Sequence, residues 1–177
     1  YILPELWVPK EGAFRFSATD YYSLHEDRFV VNFNMMTVEN LLRLAELTGR
    51  AEYRQRAERV GQWLIDRWRD ANACPPQAMQ RGAEGVPAPP GGLAYQYTPS
   101  QREPDNCVTI YTGLALRGIN KLAEATGQEE YAQIAREACE FLLAMRDPQT
   151  HLFYHTTLAG RIIPFPQFVS GAGMTMV

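Results

Sequence analysis

Apolar residues recur at helical spacing along two long stretches of the chain, and each stretch divides into two halves. In "NMMTVENLLRLAEL", Met35, Val38, Leu41, Leu42 and Ala45 step by three and four residues, the spacing of one helix face. In "AEYRQRAERVGQWLIDRWRD", Tyr53, Ala57, Val60, Leu64 and Trp68 share one face. Arg54, Gln55, Glu58, Arg59, Gln62 and Asp66 take the other, so this second helix has one wet side. Thr48-Gly49 lies between them, and glycine just past a helix end accepts the left-handed conformation that stops the helix. The pattern predicts a helical hairpin over about 34–70.

The same pattern returns. The phrase "LAELTGRAEY", Leu44–Tyr53, reappears 78 residues later as "LAEATGQEEY", Leu122–Tyr131, with seven of ten positions identical. After it, Tyr131, Ala135, Ala138, Leu142 and Met145 form an apolar stripe, with Arg136, Glu137 and Glu140 away from it. Before it, a helix is expected from about Cys107 to Ala125. It is apolar on nearly all sides, with Arg117 and Lys121 its only cations, which predicts burial on nearly all sides. Trp63-Leu64 aligns with Phe141-Leu142. The second hairpin is placed at about 107–147, and "FVSGAGMTMV", 168–177, reads as the start of a third. The stretch between the hairpins, 74–106, is rich in proline and glycine and cannot be helical throughout. A buried inner helix followed by a half-wet outer helix, repeated, fits concentric rings or a stacked solenoid. The long intervening loop favours the ring, because long irregular loops in compact domains are uncommon and often functional.

The repeated phrase, the Trp63-Leu64 and Phe141-Leu142 pairs and "EPDNCVTIYTGLAL" resemble the alpha/alpha-toroid, or six-hairpin glycosidase-like, superfamily. The resemblance covers about Asn34 to Asp147. It implies an all-α fold of helical hairpins forming part of an (α/α) toroid with long irregular loops. It implies, in turn, a carbohydrate-active enzyme or a fragment of one: a glycoside hydrolase, a sugar epimerase or a polysaccharide lyase. A complete toroid of this kind has six hairpins, and two are clear here. The chain is therefore expected to be an open arc that associates with the missing part of the ring or with itself. The competing reading is a non-catalytic helical-repeat module for binding or scaffolding.

In such rings, sites form on the loops that enter inner helices. The first of these loops carries Tyr21, Tyr22 and Glu26; the second carries Tyr95, Tyr97, Arg102, Glu103, Asp105 and Asn106; the third, "FYHTTLAGRIIPFPQF", carries His155. Sugar chemistry needs carboxylates as acid, base or nucleophile, and aromatic faces that stack on sugar rings. The candidate catalytic residues are therefore Asp105, Glu103 and Glu26. The candidate substrate-binding residues are Tyr21, Tyr22, Tyr95, Tyr97, Asn106, Arg102 and His155. Two alternatives stay open: Asp105 or Asn106 is the N-cap of the following helix, and the loop aromatics, Phe153 and Tyr154 included, are anchors folded onto the rim.

Composition narrows the field. With 46% hydrophobic and 21% charged residues, the 177-residue chain suits one globular domain or a piece of a larger one. The net charge of -3 leaves no basic excess for nucleic acid. No apolar run approaches the roughly 18 residues of a membrane span. Cys74, Cys107 and Cys139 have no paired spacing, and no CxxC, HExxH or phosphate loop occurs. No metal and no cofactor is expected. His151 and His155, four apart in an extended segment, would stand about 13 Å apart, too far to share an ion.

Overall fold

The computed structural model describes residues 3–16, 28–73, 90–97, 106–158, 161–163 and 167–168. A four-residue helical turn α1 (Leu3–Leu6) leads into a small antiparallel pair, β1 (Trp7–Val8) and β2 (Ala13–Phe14). Strand β3 (Phe29–Val30) enters the first hairpin, α2 (Val31–Thr48) and α3 (Ala51–Ala73). Strand β4 (Gln96–Tyr97) precedes the second, α4 (Thr109–Thr126) and α5 (Glu129–Ala144). Four two-residue strands follow: β5 (Phe153–Tyr154), β6 (Thr157–Leu158), β7 (Arg161–Ile162) and β8 (Gln167–Phe168). Of the third hairpin expected over 168–177, Phe168 lies in β8 and not in a helix, and 169–177 lie outside the described residues.

The repeated phrase is the hairpin elbow in both copies. Gly49 and Gly127 both sit at φ 69°, ψ 7° and 11°, and donate their amides to Ala45 and Ala123. The threonine before each glycine returns its hydroxyl to the carbonyl four residues back, 2.6 Å to Leu44 and 2.7 Å to Leu122. The same hydroxyls accept the amides of Arg50 and Gln128. Thr-Gly thus stops the first helix and starts the second with one side chain and one left-handed residue.

The first helices of the two hairpins, α2 and α4, lie against each other, while α3 and α5 meet only marginally. That is the arrangement of an inner and an outer row. Gly118 lets α4 approach so closely that a Cβ there would overlap the Met35 carbonyl of α2. Glu39 and Arg117, which occupy the same position in successive repeats, close the seam with a 2.7 Å ion pair. The Arg117 side chain is 60% exposed, so the pair aligns the seam more than it stabilises it. Between the outer helices, the Tyr131 ring enters a notch at Gly61, where a Cβ would overlap its hydroxyl. Burial there pushes the Tyr131 hydroxyl pKa up to about 12.

The core follows the expected stripes: Met35, Val38 and Leu41 of α2, Val60 and Leu64 of α3, Ile119 and Leu122 of α4, and Ile134 and Ala138 of α5 are all buried. A smaller cluster of Phe141, Leu142, Met145, Phe153 and Ile162 sits under the last strands. Helix α4 departs from the expectation of burial on all sides: Arg117, Asn120 and Lys121 are exposed, and Leu114 and Leu116 are half-buried.

One buried side chain ties the opening segment to this frame. Asn34 accepts the Phe14 amide at 2.8 Å and donates to the carbonyls of Phe14 and Val30 at 2.9 and 3.0 Å. The amide side chain thus does for Phe14 what a neighbouring strand would. Its repeat equivalent, Thr112, is equally buried, but its hydroxyl finds no partner.

Two outcomes follow. Asn34→Ala strands two buried backbone groups of Phe14 and should cost about 3 kcal/mol, read as a lower urea midpoint. His151 holds φ 61°, the only positive φ outside glycine among the described residues. His151→Gly should stabilise by about 1 kcal/mol, read as a higher melting temperature.

Candidate functional site at the inner-helix mouth

The elbows lie at one end of the hairpins; the other end, where the inner helices begin, is the mouth. Each rim loop reaches it by the same route. A left-handed residue comes first: Gly12 (φ 71°), Gly91 (φ 92°) and His151 (φ 61°). Two residues on, a buried side chain anchors the loop: Phe14, Leu93 and Phe153. Two further on comes a residue at the mouth itself: Phe16, Tyr95 and His155. Backbone hydrogen bonds fix this position. The first amide of α2, Val31, donates to the Tyr95 carbonyl at 3.1 Å, and the first amide of α4, Thr109, donates to the His155 carbonyl at 2.9 Å. On their other side, Phe16 donates to Arg28 at 2.8 Å and Tyr95 to Asn106 at 2.9 Å. Arg28 and Asn106 are themselves repeat equivalents.

The position carries aromatic chemistry. Tyr95 stacks on Tyr111 of the first turn of α4, with centroids 4.8 Å apart and planes 23° apart. Phe16 meets Phe33 of the first turn of α2 edge to face, at 6.2 Å and 79°. Phe33 and Tyr111 are again repeat equivalents. Buried side-chain oxygens of Asn32 at the start of α2 and of Gln96 in β4 make no hydrogen bond.

The sequence candidates divide accordingly. Tyr95, Asn106 and His155 are brought to the mouth around the start of α4, all half-buried. Tyr97 is half-buried in β4. It pairs with Phe29 across β3–β4, and the Arg67 guanidinium of the outer helix lies 4.2 Å over its ring and donates to its hydroxyl at 2.9 Å. Phe153 is a buried anchor, and the Tyr154 hydroxyl donates to Asp147 at 2.6 Å. Asp147 also accepts the amides of Thr150 and Gln149, and these bonds, the Thr150 amide first and then the Tyr154 hydroxyl, hold its carboxyl well below the usual carboxylate range. It stays charged and turns the chain after α5. Tyr21, Tyr22, Glu26, Arg102, Glu103 and Asp105 lie outside the described residues.

The capping alternative for Asp105 and Asn106 is overturned. Helix α4 begins at Thr109, and its N-cap is Val108 in extended conformation, with no side-chain cap. Cys107 and Val108 are drawn into bridges with Ala94 and Thr156, which delays the helix by two residues relative to the sequence expectation. Phe16, Phe33 and Tyr111 were not legible as site residues from the helix stripes. The usable signal was an aromatic in the same early-helix position of both repeats. Among the described residues, no group of three or more His, Cys, Asp or Glu side chains is placed to hold a metal, and no helix is long and apolar enough to cross a membrane.

Two hairpins with inner helices side by side and a rim of returning loops define an arc of an (α/α) toroid, and the solved structures agree. A sugar epimerase from a ruminal bacterium matches with TM-score 0.68 at 12% identity, over 97% of this chain and 42% of its own. The family 76 glycoside hydrolase (mannosidase) of Bacteroides thetaiotaomicron matches with TM-score 0.61 at 17% identity, over 93% and 40%. The unsaturated glucuronyl hydrolase of Bacillus sp. GL1 matches with TM-score 0.67 at 14% identity, over 98% and 44%. The chain therefore spans 40 to 44% of the length of these structures, and the likeness is one of fold. No protein-family model matches the chain, and no curated protein matches it by sequence.

Tyr97→Phe removes the hydrogen bond to Arg67 and should cost about 1 kcal/mol in chemical denaturation.

Proposed function

We propose that the chain is part or all of a carbohydrate-active enzyme, with substrate bound at the inner-helix mouth. The observation that carries this reading is the stacked Tyr95–Tyr111 pair, held at the rim between two inner helices. An aromatic face there matches the apolar face of a sugar ring. The similar solved structures described as a sugar epimerase, a mannosidase and a glucuronyl hydrolase support the same class.

In this reading Asp105 is the leading catalytic carboxylate, with Glu103 and Glu26 as its candidate partners. Asp105 immediately precedes Asn106 in the sequence, and the Asn106 carbonyl accepts the Tyr95 amide. Glu26 stands two residues before Arg28, whose carbonyl is bonded to Phe16 at the neighbouring rim position. Two carboxylates flanking a glycosidic bond supply an acid together with a base or nucleophile, and their separation selects inversion or retention. Asn106, Arg102, Tyr21, Tyr22 and His155 complete the binding residues. Hydrolysis, epimerisation and elimination all draw on this set.

The test is turnover by the intact protein, screened for reducing-sugar release, epimerisation and unsaturated-product absorbance on mannose-, glucose- and uronate-containing glycans. Asp105→Asn should lower kcat about 10²–10⁴-fold without moving the melting temperature, since the N-cap of α4 is Val108. Undiminished turnover removes Asp105 from the mechanism. Failure to bind or convert any glycan in the panel favours the scaffold reading.

A further inference from the structure

Helix α3 carries Arg56 and Arg59 three residues apart, and so on one helix face. Both guanidiniums stand over the same indole, Arg56 at 5.3 Å and Arg59 at 5.4 Å from the centre of the Trp7 ring. Trp7 is fixed in turn: it pairs with Phe14 across β1–β2, and the two rings are 5.0 Å apart. Arg59 also donates a 2.7 Å hydrogen bond to the Pro9 carbonyl, in the turn after β1. The backbone of that turn rests on the helix at the same point, since a Cβ at Gly12 would lie 3.4 Å from the Arg59 carbonyl oxygen. Two cations are thus held at set positions in the elbow-side half of α3, away from the inner-helix mouth.

Their charge is not neutralised. The neighbouring carboxylates are taken by other cations: Glu52 pairs with Arg50 at 2.6 Å, Glu58 with Arg54 at 2.8 Å and Glu11 with Arg67 at 3.7 Å. Among the described residues, Arg56 and Arg59 form no ion pair, and neither does Lys10, which is exposed next to Pro9. Like charges three residues apart on a helix repel and destabilise it. The indole face offsets part of that repulsion, but it leaves N–H groups of both guanidiniums without an anion.

We propose that Arg56, Arg59 and Trp7 form a binding site for a phosphate group, carried by free phosphate or by a small phosphomonoester. A carboxylate is satisfied by one guanidinium through two parallel N–H···O bonds. A phosphomonoester has three free oxygens and close to two negative charges near neutral pH, so it takes two guanidiniums. Two of them gathered on one ring match the second anion better than the first. The indole holds both side chains before the anion arrives, so less rotamer freedom is lost on binding. Arg56 is half-buried and Arg59 exposed, which leaves the site open to solvent. The site stands apart from the carbohydrate reading and does not depend on it.

The experiment is calorimetric titration of the full chain with inorganic phosphate and with a hexose phosphate, against sodium chloride at equal ionic strength. The proteins compared are the wild type, Arg56→Gln, Arg59→Gln and Arg43→Gln, the last removing the same charge from an exposed position on α2. Each is titrated well below its own melting temperature, so that a loss of the indole contact is not read as a loss of binding. Wild type should bind both phosphates and not chloride. Arg56→Gln and Arg59→Gln should each weaken phosphate about tenfold, and Arg43→Gln should leave it unchanged. Tighter binding of the hexose phosphate than of inorganic phosphate assigns the site to an ester, equal binding assigns it to the free anion, and either supports the proposal. Phosphate binding no stronger than that of chloride, binding that survives both α3 substitutions, or an equal loss in Arg43→Gln overturns it.

Discussion

The first amide of an α-helix has no partner within the helix, and in this fold that amide decides where the rim loops run. Val31 gives it to Tyr95 and Thr109 gives it to His155, each a residue of the loop returning from the same hairpin's outer helix. Every hairpin is thereby closed on itself before the chain moves on. The loop then passes to the next inner helix, as the Tyr95 amide does in reaching Asn106. A residue bonded on both sides in this way is held between two inner helices. The mouth is built from such residues, so its geometry follows from an unpaired backbone group and not from any particular side chain.

This explains why half of the architecture could be read from the sequence and half could not. The elbows were legible because one Thr-Gly dipeptide performs two backbone tasks and was retained in both copies. The helix stripes were legible because Val60 and Ala138, or Leu41 and Ile119, fill the same space. The rim loops share no such phrase: "GAFRF", "GGLAY" and "HLFYH" agree only in a left-handed first residue, a buried third and a mouth-facing fifth. The left-handed position admits glycine or, at a cost, histidine, which hides the pattern from composition. The misplaced cap has a similar origin. Asp105-Asn106 looks like a helix start, but Cys107 and Val108 are engaged in extended bridges that no local preference announces.

Much of the packing between the hairpins lies away from the proposed chemistry. The elbows, the Gly118 seam and the tyrosine notch hold the hairpins together at and below mid-height, and the rim adds anchors such as Phe14, Tyr97 and Phe153. What remains at the mouth is a small set of half-exposed rings and amides. Asn34 and Thr112 show the repeats drifting within that frame. One side chain clasps a strand through three hydrogen bonds, and the other, shorter, leaves its hydroxyl unused.

The notch at Gly61 also sets a polarity on growth. It receives Tyr131, but the matching place on α5 is Cys139, which already bears a side chain. In the same way α2 presents Asn40 where α4 presents Gly118. A hairpin packed onto α4 and α5 by the same geometry would therefore meet a side chain at Cys139, where Tyr131 meets none at Gly61.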